Sequence, residues 1–135
     1  TKPDDIQIAN PEDWDQMNKA MEGVINTVHG TARAIGKNLD FPLAGKTGTA
    51  QVVSIAQDEE YDSEALAERQ RDHALFIAFA PVESPKIAVA VIVENGESAG
   101  KTAAPIARTV IEHYLDSFNA SVDPILQPAE VQYGG

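Results

Sequence analysis

The chain has 135 residues, and its 21 Asp plus Glu against 10 Lys plus Arg give a formal charge of −11. That balance argues against nucleic acid or an anionic membrane surface as a general partner. The lack of cysteine excludes disulfide scaffolds, Cys-ligated zinc, iron–sulfur clusters and thiol nucleophiles. A hydrophobic content of 43% at this length supports one folded core. The longest apolar run, residues 87–93, is far short of the roughly 20 residues of a membrane helix. Thr1-Lys2-Pro3-Asp4-Asp5 does not read as a signal peptide, and a start on Thr1 without Met reads as a cut point.

The first predicted element is a helix over 11–29. Asn10 can cap it, Pro11 suits its first position, and Glu12, Asp13 and Asp15 place negative charge at the positive end of the helix dipole. Trp14, Met17, Met21, Val24, Ile25 and Val28 form one apolar stripe at helical spacing, and Gly30 is the expected stop. Residues 30–45, with Gly30, Gly36, Pro42 and Gly45, read as a loop.

A strand of moderate strength is expected over 46–55, carrying Thr47, Thr49, Val52 and Val53. Residues 57–73 hold seven acidic and two basic side chains and read as a solvated insertion, with Ser63 able to cap a short helix over 64–69. Two β-rich runs follow, 74–80 and 87–94. The short connector between them, from Pro81 to Lys86, implies an antiparallel hairpin. Both runs are almost wholly apolar, which predicts strands covered on both faces.

A second amphipathic helix is expected over 102–118, with Ile106, Val110, Ile111, Tyr114, Leu115 and Phe118 turned to the sheet. Residues 119–135, with Pro124, Pro128, Gly134 and Gly135, read as an extended or mobile tail. Three strands and two helices make a thin domain whose sheet edges need partners, as expected of a piece of something larger.

The residues that carry chemistry begin at Ala44-Gly45-Lys46-Thr47-Gly48-Thr49-Ala50-Gln51, at the head of a strand. Gly48 has no side chain to hold off an approaching chain, so another backbone can lie against the strand. The Thr47 and Thr49 hydroxyls can bind a carboxylate beside the positive charge of Lys46, and a backbone N–H at Thr49 can face the oxygen of a carbonyl under attack. Lys-Thr-Gly alone is a common tripeptide, and taken alone its lysine reads as a solvated strand end.

The whole octet is more specific. It resembles the third motif of the serine-acylating penicillin-binding transpeptidases, whose set runs Ser-x-x-Lys, Ser-x-Asn, Lys-Thr-Gly. Met21-Glu22-Gly23-Val24-Ile25-Asn26 and Gly30-Thr31-Ala32 resemble the helix and Gly-Thr-Ala loop that precede this motif in the class B members. Residues 69–81 and 87–96 resemble the last two strands, most closely those of the elongation-specific Gram-negative branch. The resemblance covers about residues 10–116. One departure is Leu75, where many class B members place Trp before Phe.

The resemblance implies an α+β penicillin-binding/β-lactamase-like fold, of which residues 1–118 form an incomplete C-terminal part. It implies serine acyl transfer on D-Ala-D-Ala stem peptides, with β-lactams as inhibitors and no cofactor or metal. Lys46 and Thr49 are then the catalytic positions, and Lys46, Thr47, Gly48 and Thr49 the substrate-binding ones. The nucleophile and the Ser-x-Asn pair are expected elsewhere in the protein. The implied partners are stem peptides, β-lactams, the remainder of the same domain and elongation-complex membrane proteins such as a lipid II polymerase. The implied location is the periplasmic face of the inner membrane, with an N-terminal helical anchor outside this chain. Alternatives are a non-catalytic module of the same fold, a division-specific relative and a class A β-lactamase; the Gly-Thr-Ala loop and the 57–73 insertion favour class B.

Two other matches run against this order. Ser98-Ala99-Gly100-Lys101 and Ser117-Phe118-Asn119 complete the motif set formally, but both follow Lys-Thr-Gly and read as accidents of composition, with Ser98 as a helix cap. Asn95-Gly96-Glu97-Ser98-Ala99-Gly100-Lys101-Thr102 misses a phosphate-binding loop by its first glycine. His29 suits a helix end, His113 an exposed helix face, and His73 the loop leading back into the sheet, with no zinc spacing among them.

Overall fold

The structure, a computed structural model, describes residues 9–52 and 68–126. Helix α1 spans Pro11–Asn26, and the Asn10 side chain accepts from the Glu12 amide at 3.1 Å. It ends three residues before the expected His29. The Thr27 amide and hydroxyl both bond the Gly23 carbonyl, at 3.3 and 2.7 Å, and the chain leaves in an extended conformation. Ile25 is the buried anchor of α1, while Trp14, Met17 and Val28 from the predicted stripe remain exposed. A 3₁₀ turn, Arg33–Gly36, carries the chain toward the sheet and buries Ile35.

The sheet has three antiparallel strands in the order β1 (Ala44–Ala50), β2 (His73–Ala80) and β3 (Ile87–Val93). Strand β1 starts two residues before the expected position and stops at Ala50, and positions 53–55 lie outside the described residues. Most of the expected 64–69 helix also lies outside them; the 3₁₀ turn Glu68–Gln70 is what is seen there. The expected hairpin is present, closed by the Lys86 amide donating to the Ala80 carbonyl at 2.9 Å.

Directly paired residues share a face of a sheet. Register therefore places Thr47, Phe76 and Val91 together on one face, and Lys46, Ile77 and Ala90 on the other. The first face is the core: Ala74, Phe76, Ala78 and Ala80 are buried there. The second is covered only in part, by α1. Met21 shares a groove with Ile77, Phe79, Ala88 and Ala90, while Ile77 and Ile92 are 51% and 67% exposed. The expectation of strands covered on both faces is thus corrected among the described residues, because α1 leans over β1 and leaves β3 open.

Helix α2 spans Ala103–Leu126 and covers the core face. Two expectations change here. Residues 119–126, expected in the tail, continue the helix to Leu126, since residues 117–123 hold no glycine or proline to stop it; residues 127–135 lie outside the described residues. The inward side of α2 is made of Ala103, Ala104, Ala107, Ile111 and Leu115, while Ile106, Val110, Tyr114 and Phe118 form an exposed stripe beside it. Small residues win the inward positions because they let the helix axis come close to the sheet.

The far end of the sheet is held by polar contacts. Asp72, the one buried charged side chain among the described residues, accepts from the Val52 amide at 3.2 Å, and its carbonyl accepts from the Glu97 amide at 2.9 Å. His73 Nδ1 accepts from the Asn95 amide at 2.9 Å, which ties the start of β2 to the turn after β3.

Candidate functional site

Strand β1 is an edge strand of the described sheet, and it carries the whole Lys-Thr-Gly-Thr run. Lys46 and Thr49 are exposed, and Thr47 and Gly48 half-buried. Pairing sends the Thr47 and Thr49 side chains to the face of Phe76 and Ala74, and Lys46 to the face of Ile77. The lysine Nζ turns back along the strand to donate to the Thr47 carbonyl at 2.6 Å.

The Thr47 carbonyl accepts from the Lys46 ammonium, and just past the strand the Val52 amide donates to Asp72. The outer side of an edge strand leaves alternate backbone groups without a strand partner, which is where an extended ligand can pair.

The two glycines of this strand differ. A Cβ at Gly45 would stand 2.6 Å from the Phe76 ring and 2.9 Å from the Ile77 carbonyl, so this glycine is demanded by the core. A Cβ at Gly48 would meet Leu75 Cβ at 3.4 Å, an ordinary contact. The fold itself therefore does not require Gly48.

Sequence reasoning used Gly30-Thr31-Ala32 only as a landmark. In the structure, Thr31 Oγ1 lies 2.9 Å from Thr47 Oγ1, within hydrogen-bond distance. Sixteen residues separate the two, and no periodic signal announces the contact.

The late motifs fall elsewhere. Ser117 lies within α2 and its hydroxyl donates to the His113 carbonyl at 2.8 Å. Ser98 does not cap α2, which begins at Ala103; the Thr102 hydroxyl, which makes the local bonds to the Gly96 and Ser98 carbonyls, stands at the helix start instead. Among the described residues no cluster of three or more His, Asp or Glu side chains is placed to hold a metal ion.

An acidic-surfaced α+β unit with a Lys-Thr-Gly-Thr edge strand, a following hairpin and a covering C-terminal helix defines a class, and the chain belongs to it: the penicillin binding protein transpeptidase domain, whose family model matches residues 1–112. The chain is 48% identical over 124 residues to the peptidoglycan D,D-transpeptidase MrdA of Acinetobacter baumannii, covering 92% of this chain and 17% of that protein. It is similar to the crystal structure of PBP2 from Pseudomonas aeruginosa in complex with WCK 5153, with a TM-score of 0.69 and 42% identity over 85% of this chain and 22% of that one. The complex of PBP2 with MreC from Helicobacter pylori is matched at a TM-score of 0.61 and 30% identity, over 77% of this chain and 17% of that one. The chain spans about a fifth of the length of the curated relatives it matches.

Proposed function

We propose that the chain supplies the substrate-binding strand of an elongation-type peptidoglycan D,D-transpeptidase. The observation that carries this reading is that edge strand β1 brings the Lys46 ammonium to the Thr47 carbonyl and sets the Thr47 and Thr49 side chains on one face. The relatives named above supply the reaction class. A serine in the remainder of the protein attacks the carbonyl carbon of the D-Ala-D-Ala bond, D-alanine leaves, and an ester forms. An amine of a neighbouring stem peptide then attacks that ester, which forms the cross-link and frees the serine.

In this reading Thr47 and Thr49 donate to the substrate carboxylate, and Lys46 brings a positive charge beside the serine machinery. Gly48 lets the stem peptide lie close, and the Thr49 amide is one donor to the developing oxyanion. A β-lactam takes the place of the dipeptide and remains as an ester. Residues 1–118 belong to the C-terminal part of the transpeptidase domain, and the remainder of that domain is the first partner. Membrane-associated elongation proteins, including a lipid II polymerase, are further partners, in keeping with the PBP2–MreC complex. The site works on the periplasmic face of the inner membrane, with the anchor outside these residues.

The test is acylation by a fluorescent penicillin, followed by intact mass. The full-length protein should gain one adduct, Lys46→Ala should reduce the acylation rate at least 100-fold while the protein stays folded, and the 135-residue chain alone should gain none. Wild-type acylation of Lys46→Ala, or an adduct on Ser98, would overturn the reading.

A further inference from the structure

We propose that Thr31 is a positioning residue which aims the Thr47 hydroxyl proton at the substrate carboxylate. This rests on the function proposed above. A threonine hydroxyl has one proton to give and two lone pairs to receive with. The 2.9 Å contact between the Thr31 and Thr47 hydroxyls permits either to donate. A carboxylate only accepts, so Thr47 can bind it only with its single proton. Both contacts are satisfied at once in one arrangement: Thr31 donates to Thr47, and Thr47 donates to the carboxylate. A hydroxyl that accepts one hydrogen bond is also a better donor in the next.

The position of Thr31 is fixed by its surroundings. The next residue, Ala32, is buried and its amide donates to the Val24 carbonyl at 3.0 Å, while the Gly30 amide donates to the Thr27 carbonyl at 3.0 Å. On the other side Gly100 packs directly on the Thr31 carbonyl: a Cβ there would stand 2.3 Å from that oxygen. At Gly30 a Cβ would stand 2.3 Å from the Val24 carbonyl. The Gly-Thr-Ala loop is thus pressed between the end of α1 and the segment before α2, and its hydroxyl is held at the strand. Such support from behind is what keeps a recognition group in a productive direction.

The experiment uses the full-length protein and the second-order rate of acylation by a penicillin, resolved into its binding and chemical steps. Thr31→Val keeps the shape and removes the hydroxyl. It should lower the rate about tenfold, chiefly in the binding step. Thr31→Ser should restore it to within about threefold. With the methyl ester of the same penicillin, which lacks the carboxylate charge, Thr31→Val should have no effect. In a Thr47→Val background it should add nothing, since coupled residues are not additive. Wild-type acylation by Thr31→Val, an equal loss on acid and ester, or full additivity with Thr47→Val would each overturn the proposal. Lys46→Ala separates the levels: if it too acylates normally the strand reading itself falls, whereas impaired Lys46→Ala beside normal Thr31→Val removes only the role of Thr31. Should Thr31→Val not fold, the acid-to-ester comparison is made with Thr31→Ala, with the same outcomes.

Discussion

Arg108 binds the backbone carbonyl of Ile35 at 3.0 Å across a sequence separation of 73 residues. The same nitrogen reaches the Lys37 carbonyl at 2.8 Å, and the rest of the guanidinium pairs with Glu112 at 2.8 to 2.9 Å. One side chain thereby fastens α2 to the turn that feeds β1, and it satisfies carbonyls that the short 3₁₀ helix leaves open.

From this contact, Arg108→Ala should destabilise the folded domain by about 2 kcal/mol, the scale of hydrogen bonds to a charged group. Arg108→Lys should recover only a small part, because an ammonium cannot reproduce the planar fork. Glu112→Gln should cost at most about 0.5 kcal/mol, as expected of a partly exposed i,i+4 pair. Urea unfolding of the three variants in the full-length protein checks the order, and a Glu112→Gln loss larger than that of Arg108→Ala would contradict it.

The contrast between the two β1 glycines gives a paired prediction. Gly45→Ala drives a methyl into the Phe76 ring and the Ile77 carbonyl and should destabilise by about 1–3 kcal/mol, the cost of overpacking. Gly48→Ala, whose methyl meets Leu75 only at an ordinary contact distance, should leave the melting temperature nearly unchanged, and if Gly48 serves close ligand approach as proposed above it should lower penicillin acylation about tenfold. Melting and acylation measured on both variants should show these effects separating cleanly between the two positions.

Asp72 lets the Val52 amide end in a hydrogen bond just past β1. Asp72→Ala removes that acceptor, and the expected loss is about 1–3 kcal/mol. Asp72→Asn keeps an oxygen there and should lose less. Hydrogen exchange at Val52 is the local readout: its amide should exchange faster in the alanine variant, while amides of β3 away from Glu97 keep their protection relative to global stability.

Asn95 adopts a positive φ of 56°, its amide binds His73, and its side chain donates to the Arg71 carbonyl at 2.9 Å. Asn95→Gly keeps the backbone and loses the side-chain bond, whereas Asn95→Val loses both advantages, since β-branched residues disfavour this region. The valine variant should melt several degrees below the glycine variant.

Much of this architecture is legible along the chain. The hairpin follows from two apolar runs and a short Pro-bounded connector, and the candidate substrate-binding strand from eight consecutive residues. Contacts between distant segments are not legible in that way. The Thr31–Thr47 pair joins a loop to a strand, and Arg108 joins a helix to a turn; neither alters any local pattern. The inward face of α2 shows a second limit. Hydrophobic size favours Ile106, Val110, Tyr114 and Phe118, but closeness to the sheet favours Ala103, Ala104 and Ala107. Which criterion wins depends on the interaxial distance, a property of the packed pair and not of the helix alone.

Phe76, wholly buried, stands opposite Thr47 in the register, with the end of its ring beneath Gly45. The level of β1 over the core is therefore set from behind at Gly45, by a wholly buried side chain. On the function proposed above, a change of ring size at Phe76 would shift the strand and alter β-lactam acylation with the Lys-Thr-Gly-Thr run intact.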